Sequence, residues 1–178
     1  MQTPDPAQSM ERQKEAIRQQ WAGRAATFRE TAGRRAMTLQ AATDLLLATL
    51  RLRPGMRILD VASGPGEPAI SLAAAIAPDG HVTATDLVPE MLAAAEEHAR
   101  ARDVANIAFQ HADAEALPFA DGSFDAVTCR FGVMLFPDTR RALGEIRRVL
   151  KPDGQFVAMV WGPREQDALS AGLAVAQR

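Results

Sequence analysis

Tyrosine is missing from this 178-residue chain, cysteine occurs once, and aromatic residues make up only 5% of it. The single Cys129 excludes an intrachain disulfide and any cysteine-based metal cluster, and no metal site is expected. No apolar run approaches the ~20 residues of a bilayer-spanning helix, so membrane insertion is not expected. The start, Met1-Gln2-Thr3-Pro4-Asp5-Pro6, is polar and has no secretory apolar core, which makes a cytoplasmic location the default expectation. An excess of positive charge is missing too. Lys and Arg number 20 against 22 Asp and Glu, a formal net charge of −2, which gives no footprint for nucleic acid or an anionic membrane. What is present is an ordinary globular balance, 47% apolar and 24% charged, long enough for one domain with a sizeable core.

Residues 1–8 read as disordered, and 9–50 as helical with interruptions at Gly23 and Gly33. Strands are then expected at 57–61, 81–85, 106–110, 124–129 and 155–161, and helices at 68–77, 89–102 and 138–150. Asp138 is placed as the N-cap of the last of these, whose Ala142, Leu143, Ile146, Val149 and Leu150 form one face. Pro78-Asp79-Gly80, Asp121-Gly122 and Pro152-Asp153-Gly154 mark turns. Strands alternating with helices give an α/β fold with a doubly wound, mostly parallel sheet of about five strands. Three regions follow: a helical segment at 1–50, a core at 51–162, and at 163–178 the start of a C-terminal helix or insertion, with 167–178 read as helix.

In such a sheet, ligands bind at the carboxyl ends of the strands. The segment Ile58-Leu59-Asp60-Val61-Ala62-Ser63-Gly64-Pro65-Gly66 is an apolar run that ends in an acid and turns through two glycines into a helix. Glycines at Gly64 and Gly66 let backbone approach a ligand that a Cβ would strike, and the following helix aims free N–H groups at it. Asp86 closes the second strand at the spacing where an acid accepts hydrogen bonds from ribose hydroxyls. The loop also fits the dinucleotide pattern G-x-G-x-x-G/A, which is weak alone. Asp60 argues against a pyrophosphate and for a cationic sulfonium, hence for S-adenosylmethionine over NAD. Ala62 and Ser63 follow the first strand, Leu87 the second, His111, Asp113 and Ala114 the third, and Arg130 and Phe131 the fourth. Asp113 is suited to accept from the adenine amine while the Ala114 N–H donates to a ring nitrogen, with Leu87 and Phe131 sandwiching the ring.

These blocks, with Asp113-Ala114-Glu115-Ala116-Leu117-Pro118-Phe119, Phe124-Asp125-Ala126-Val127 and the run from Arg141 to Gln155, resemble a class I S-adenosylmethionine-dependent methyltransferase over roughly residues 40–162. The resemblance is greatest to the branch of ubiquinone and menaquinone biosynthesis C-methyltransferases. It implies a Rossmann-like core in which the glycine loop holds the methionine part, Asp86 the ribose and Asp113-Ala114 the adenine, with S-adenosylhomocysteine as product. It also implies that the preceding helices form a lid, for which Trp21 and Phe28 are contacts or else core anchors. Family members complete a seven-stranded sheet, whereas this chain stops at Arg178. The fifth strand is therefore expected at an open apolar edge, so that the chain reads as a fragment, a natural short form, or a protein whose edge is covered by a partner, a homodimer among the choices.

Methyl transfer asks mainly for positioning. His111 is the best-placed general base should an acceptor lose a proton, against the plainer reading of a loop histidine; His81 and His98 read as surface. Arg130 is suited either to orient an anionic acceptor or to pair with a carboxylate. Cys129 reads as a small buried residue, and Met134, Leu135 and Phe136 as core or as the wall of an apolar acceptor pocket. The expected function is methyl transfer to a small-molecule acceptor. The alternative is a non-catalytic or truncated cofactor-binding or dimerising module, and an NAD-dependent oxidoreductase is a distant third.

Overall fold

The computed structural model of the chain describes residues 6–162 and 171–176. Three helices come first, α1 (Pro6–Ala22), α2 (Ala25–Thr38) and α3 (Gln40–Thr49). The break at Gly23 is where the sequence placed it, but the second falls at Leu39 and not at Gly33, which lies within α2. Residues 6–8, expected to be disordered, belong to α1; 1–5 lie outside the described residues.

The chain then alternates as expected: β1 (Arg57–Val61), α4 (Ala69–Ala75), β2 (His81–Asp86), α5 (Pro89–Arg100), β3 (Ile107–His111), β4 (Phe124–Arg130), α6 (Thr139–Val149), β5 (Leu150–Trp161) and β6 (Ala171–Ala176). The sheet order is β3-β2-β1-β4-β5-β6. Strands β1 to β5 pair in parallel, so β1 is central and the chain reverses direction across the sheet between β3 and β4. Crevices at such a reversal are where ligands settle, just beyond the strand ends.

Alternation along β1 divides the core. Ile58 packs on one face with Leu46, Leu72, Ile76 and Val82, while Leu59 and Val61 pack on the other with Val127, Cys129, Ile146 and Val149. Helix α6 starts at Asp138, whose carboxylate accepts the Arg141 N–H at 2.9 Å, and Ala142, Ile146 and Val149 are its buried face. The turn expected at Pro152-Asp153-Gly154 is a bulge within β5: Phe124 pairs with Leu150, but Ala126 pairs with Gln155. Among the described residues, no helix is long and apolar enough to cross a membrane.

The C-terminal expectation is corrected. Of the helix read at 167–178, residues 171–176 form β6, antiparallel to β5 with Trp161 opposite Ala171 and Phe156 opposite Ala176; the rest lies outside the described residues. Alanine-rich Ala171-Gly172-Leu173-Ala174-Val175-Ala176 favours helix locally, but pairing with β5 satisfies the ladder groups of a strand edge. The β5 edge expected to be open is thus paired with residues 171–176 of the chain itself.

Candidate active site

A cavity of about 350 Å³ opens at the carboxyl ends of β1, β2 and β4 and is closed on the opposite side by residues of α1 and α2. Its floor is the turn after β1. Ala62 and Gly64 adopt left-handed backbone, with φ of 56° and 54°. Gly64 donates its N–H to Asp86 Oδ2 at 2.8 Å, and Val88 donates to Asp86 Oδ1 at 2.9 Å. One carboxylate therefore clamps the turns after both strands, and it lies on the cavity wall. Burial pushes the Asp86 carboxyl above the usual range, against the pull of those N–H groups.

Three expectations about this turn need correction. A Cβ on Gly66 would meet the Ile70 side chain at 2.6 Å and Ala95 at 3.3 Å, so this glycine serves packing against α4 and α5 and is not on the cavity wall. Asp60 is not on the wall either. It is fully enclosed, with Oδ1 accepting from Thr128 Oγ1 at 2.6 Å and Oδ2 without a partner. Burial pushes its carboxyl up to about 7, so it is not the fixed negative charge that the sequence argument needed. The acid exposed to the cavity beside the loop is Glu67, which sequence reasoning passed over; its carboxylate pairs with Arg102 and accepts from Ser71 Oγ at 2.7 Å.

At the other end, Leu87, Asp113 and Ala114 line the cavity as expected, and so do Lys14 and Glu115, which the sequence did not single out. Lys14 Nζ of α1 lies 2.6 Å from Asp113 Oδ2 and 2.7 Å from Glu115 Oε2. Burial alone would lower the Lys14 pKa, but its hydrogen bond to Asp113 and the adjacent Glu115 carboxylate hold it above the usual value. Trp21 and Phe28 line the same cavity, edge to face with centroids 5.6 Å apart, and also pack on Val88 and Met91.

The third wall follows β4. Arg130 is on it, but its guanidinium is committed: Nη1 donates to Thr43 Oγ1 at 2.7 Å and Nη2 to the Glu67 carbonyl at 2.9 Å. Arg130 thereby joins α3 to the glycine loop. Its pKa is lowered by burial, which the charges of Asp60 and Glu67 only partly offset. Phe131, at φ 63°, stacks on Trp161 with centroids 4.1 Å apart and planes 8° apart, so one face of the ring expected against adenine is already covered. Met134, Leu135 and Phe136 extend this apolar wall. Cys129 is buried, and burial pushes its thiol pKa far up, as for an inert core residue.

Two histidines lie elsewhere than expected. His111 is exposed, bonds the Leu87 carbonyl through Nε2 at 3.1 Å, and is not on the cavity wall, because β3 is an edge strand. His98, read as surface, lines the cavity and reaches the Pro65 carbonyl through Nδ1 at 2.8 Å. Replacing His111 by alanine is expected to change S-adenosylhomocysteine affinity by no more than about twofold in a calorimetric titration. A tenfold loss would return His111 to the site.

The family model described as a methyltransferase domain matches residues 58–154. The chain is 46% identical over 112 residues to the demethylmenaquinone methyltransferase of Thermus thermophilus, covering 63% of this chain and 50% of that protein. The crystal structure of YcgJ from Bacillus subtilis aligns with TM-score 0.63 and 35% identity over 71% of this chain and 53% of that one. A SAM-dependent methyltransferase from Aquifex aeolicus aligns with TM-score 0.66 and 26% identity over 70% and 66%. The chain spans about half the length of the curated relatives it matches. With the glycine loop, the Asp86 clamp and the reversal of strand order all in place, these matches show that the chain belongs to the class I S-adenosylmethionine-dependent methyltransferases.

Proposed function

We propose that this chain binds S-adenosylmethionine along the ends of β1, β2 and β3 and transfers a methyl group to a flat, apolar small molecule of the quinone type. The observation that carries this reading is one cavity holding both halves of the task. The Asp86-clamped glycine loop forms its floor, and the stacked Phe131 and Trp161 with Met134, Leu135 and Phe136 form an apolar wall beside it. A planar acceptor gains both area burial and stacking on such a wall.

The residues present suit the cofactor. Ser63 lines the cavity, and its Oγ is buried without a partner, as a polar atom awaiting a ligand would be. Asp86 would accept from the ribose hydroxyls, and Asp113 with the Ala114 N–H would meet the adenine edge. When bound, S-adenosylmethionine supplies a methyl group on a positively charged sulfur. The chain's own contribution is then to align the acceptor and exclude water: Arg130 holds the glycine loop against α3, while Trp21 and Phe28 on α1 and α2 act as lid. We place this reaction in the cytoplasm, in keeping with the lone Cys129 thiol.

Incubation of the chain with S-adenosylmethionine and a reduced naphthoquinone bearing an unsubstituted ring position is expected to yield methylated quinol and S-adenosylhomocysteine in equal amounts. Tight S-adenosylhomocysteine binding with no product from any reduced quinone would favour the binding-module reading instead.

A further inference from the structure

We propose that Lys14 is a positioning residue for adenine recognition, holding the Asp113 carboxylate in the rotamer that accepts from an exocyclic amine. This rests on the reading of Asp113 as the adenine partner.

The Asp113 carboxylate is fixed from two directions. Its Oδ1 accepts the Glu115 backbone N–H at 2.8 Å, and its Oδ2 accepts from Lys14 Nζ at 2.6 Å. With one donor on each oxygen the carboxylate cannot rotate, and one lone pair per oxygen remains for a ligand. Lys14 also lies 2.7 Å from a second carboxylate, that of Glu115, whose side chain is only 1% exposed. Glu115 is immobile in turn: Oε1 accepts the Asp138 N–H at 2.8 Å, and its backbone carbonyl accepts from Arg141 Nε at 2.8 Å. The ammonium therefore sits between an acid on the cavity wall and an acid locked to the start of α6.

A purely structural account, in which Lys14 only docks α1, leaves Asp113 unexplained. Glu115 alone would be partner enough for a docking lysine, and a buried carboxylate is expensive to leave unpaired. The second contact turns that buried acid into a fixed support for Asp113. Ile17 and Trp21, on the same face of α1 as Lys14, also line the cavity, so α1 brings the cation to the adenine end whenever it covers the ligand. Among its described residues α1 has no fully buried side chain, which leaves the Lys14 ion pairs as its most specific tie to the core.

The test compares two ligands, S-adenosylhomocysteine and its inosine counterpart, in which an oxo group replaces the adenine amine. The parent chain is expected to prefer the amine by about tenfold or more in calorimetric titrations. Lys14→Met, and Lys14→Met combined with Glu115→Gln so that no buried charge is stranded, are both expected to bring that preference close to parity. Glu115→Gln alone keeps Lys14 on Asp113 and is expected to retain it. Preference kept in the two lysine variants, or lost in Glu115→Gln alone, overturns the proposal. Asp113→Ala separates the underlying reading: if that variant still prefers the amine, Asp113 is not the adenine partner and the role of Lys14 falls with it.

Discussion

Replacing Asp86 by alanine is expected to weaken S-adenosylhomocysteine binding by about 100-fold or more, since hydrogen bonds to a charged group contribute roughly 1.5–3 kcal/mol each. Two losses are superposed. With Asp86 as the proposed ribose partner, the hydroxyls would lose their acceptor, and the N–H groups of Gly64 and Val88 lose theirs, so the turns after β1 and β2 are no longer clamped to one another. A ligand lacking the ribose 2′-hydroxyl separates the two. The parent chain is expected to bind it more weakly than S-adenosylhomocysteine, while Asp86→Ala binds both alike. A variant that keeps the preference would show that the hydroxyl is held elsewhere, and that Asp86 acts only through the loop.

The position of Asp86 was legible in the sequence because it depends on local order. A strand, a turn and a second strand fix where the acid lands, and β1, β2 and β4 begin at the expected residues, 57, 81 and 124. The same logic placed Asp113, Ala114 and Leu87 on the cavity wall. It failed where the deciding contact is distant or directional. His111 was expected just after the third strand and is the last residue of β3, but β3 lies at the sheet's edge, so the imidazole turns to solvent; His98, on a helix, points back at the glycine loop. Lys14 and Glu115 are 101 positions apart, and no pattern in either segment announces the pair. The strand β6 was missed because its alanines speak for helix and only the β5 ladder overrides them. Glu67 was hidden in plain view, since Asp60 offered a carboxylate at the strand end and burial was not visible.

That misplacement of Asp60 leads to the second large effect. Asp60→Asn is expected to stabilise the chain at pH 8 and to leave it nearly unchanged near pH 4. The carboxyl titrates near 3.8 when unfolded and at about 7 when folded, because burial penalises its charged form more than Thr128 and Arg130 favour it. Between those values the native state holds a proton that the unfolded chain has released, so stability falls as pH rises, by about 1.4 kcal/mol per pH unit at most. Above pH 7 both states are ionised and the cost is constant. Asparagine keeps an oxygen for Thr128 Oγ1 and never ionises, so the variant escapes a cost on the order of 2–4 kcal/mol, or roughly 5–10 °C in melting temperature. The difference between variant and parent should grow from pH 4 to pH 7 and then level off; a difference that stays flat with pH would mean that Asp60 is ionised throughout and its charge is satisfied. Proteins retain such costs where function needs them. Here the unpartnered Asp60 Oδ2 lies beneath a loop whose Ser63 Oγ is unpartnered as well, on the cavity wall. The stabilised variant is therefore expected to bind S-adenosylhomocysteine more weakly than the parent, because the loop's polar atoms are arranged for the ligand and not for the empty fold.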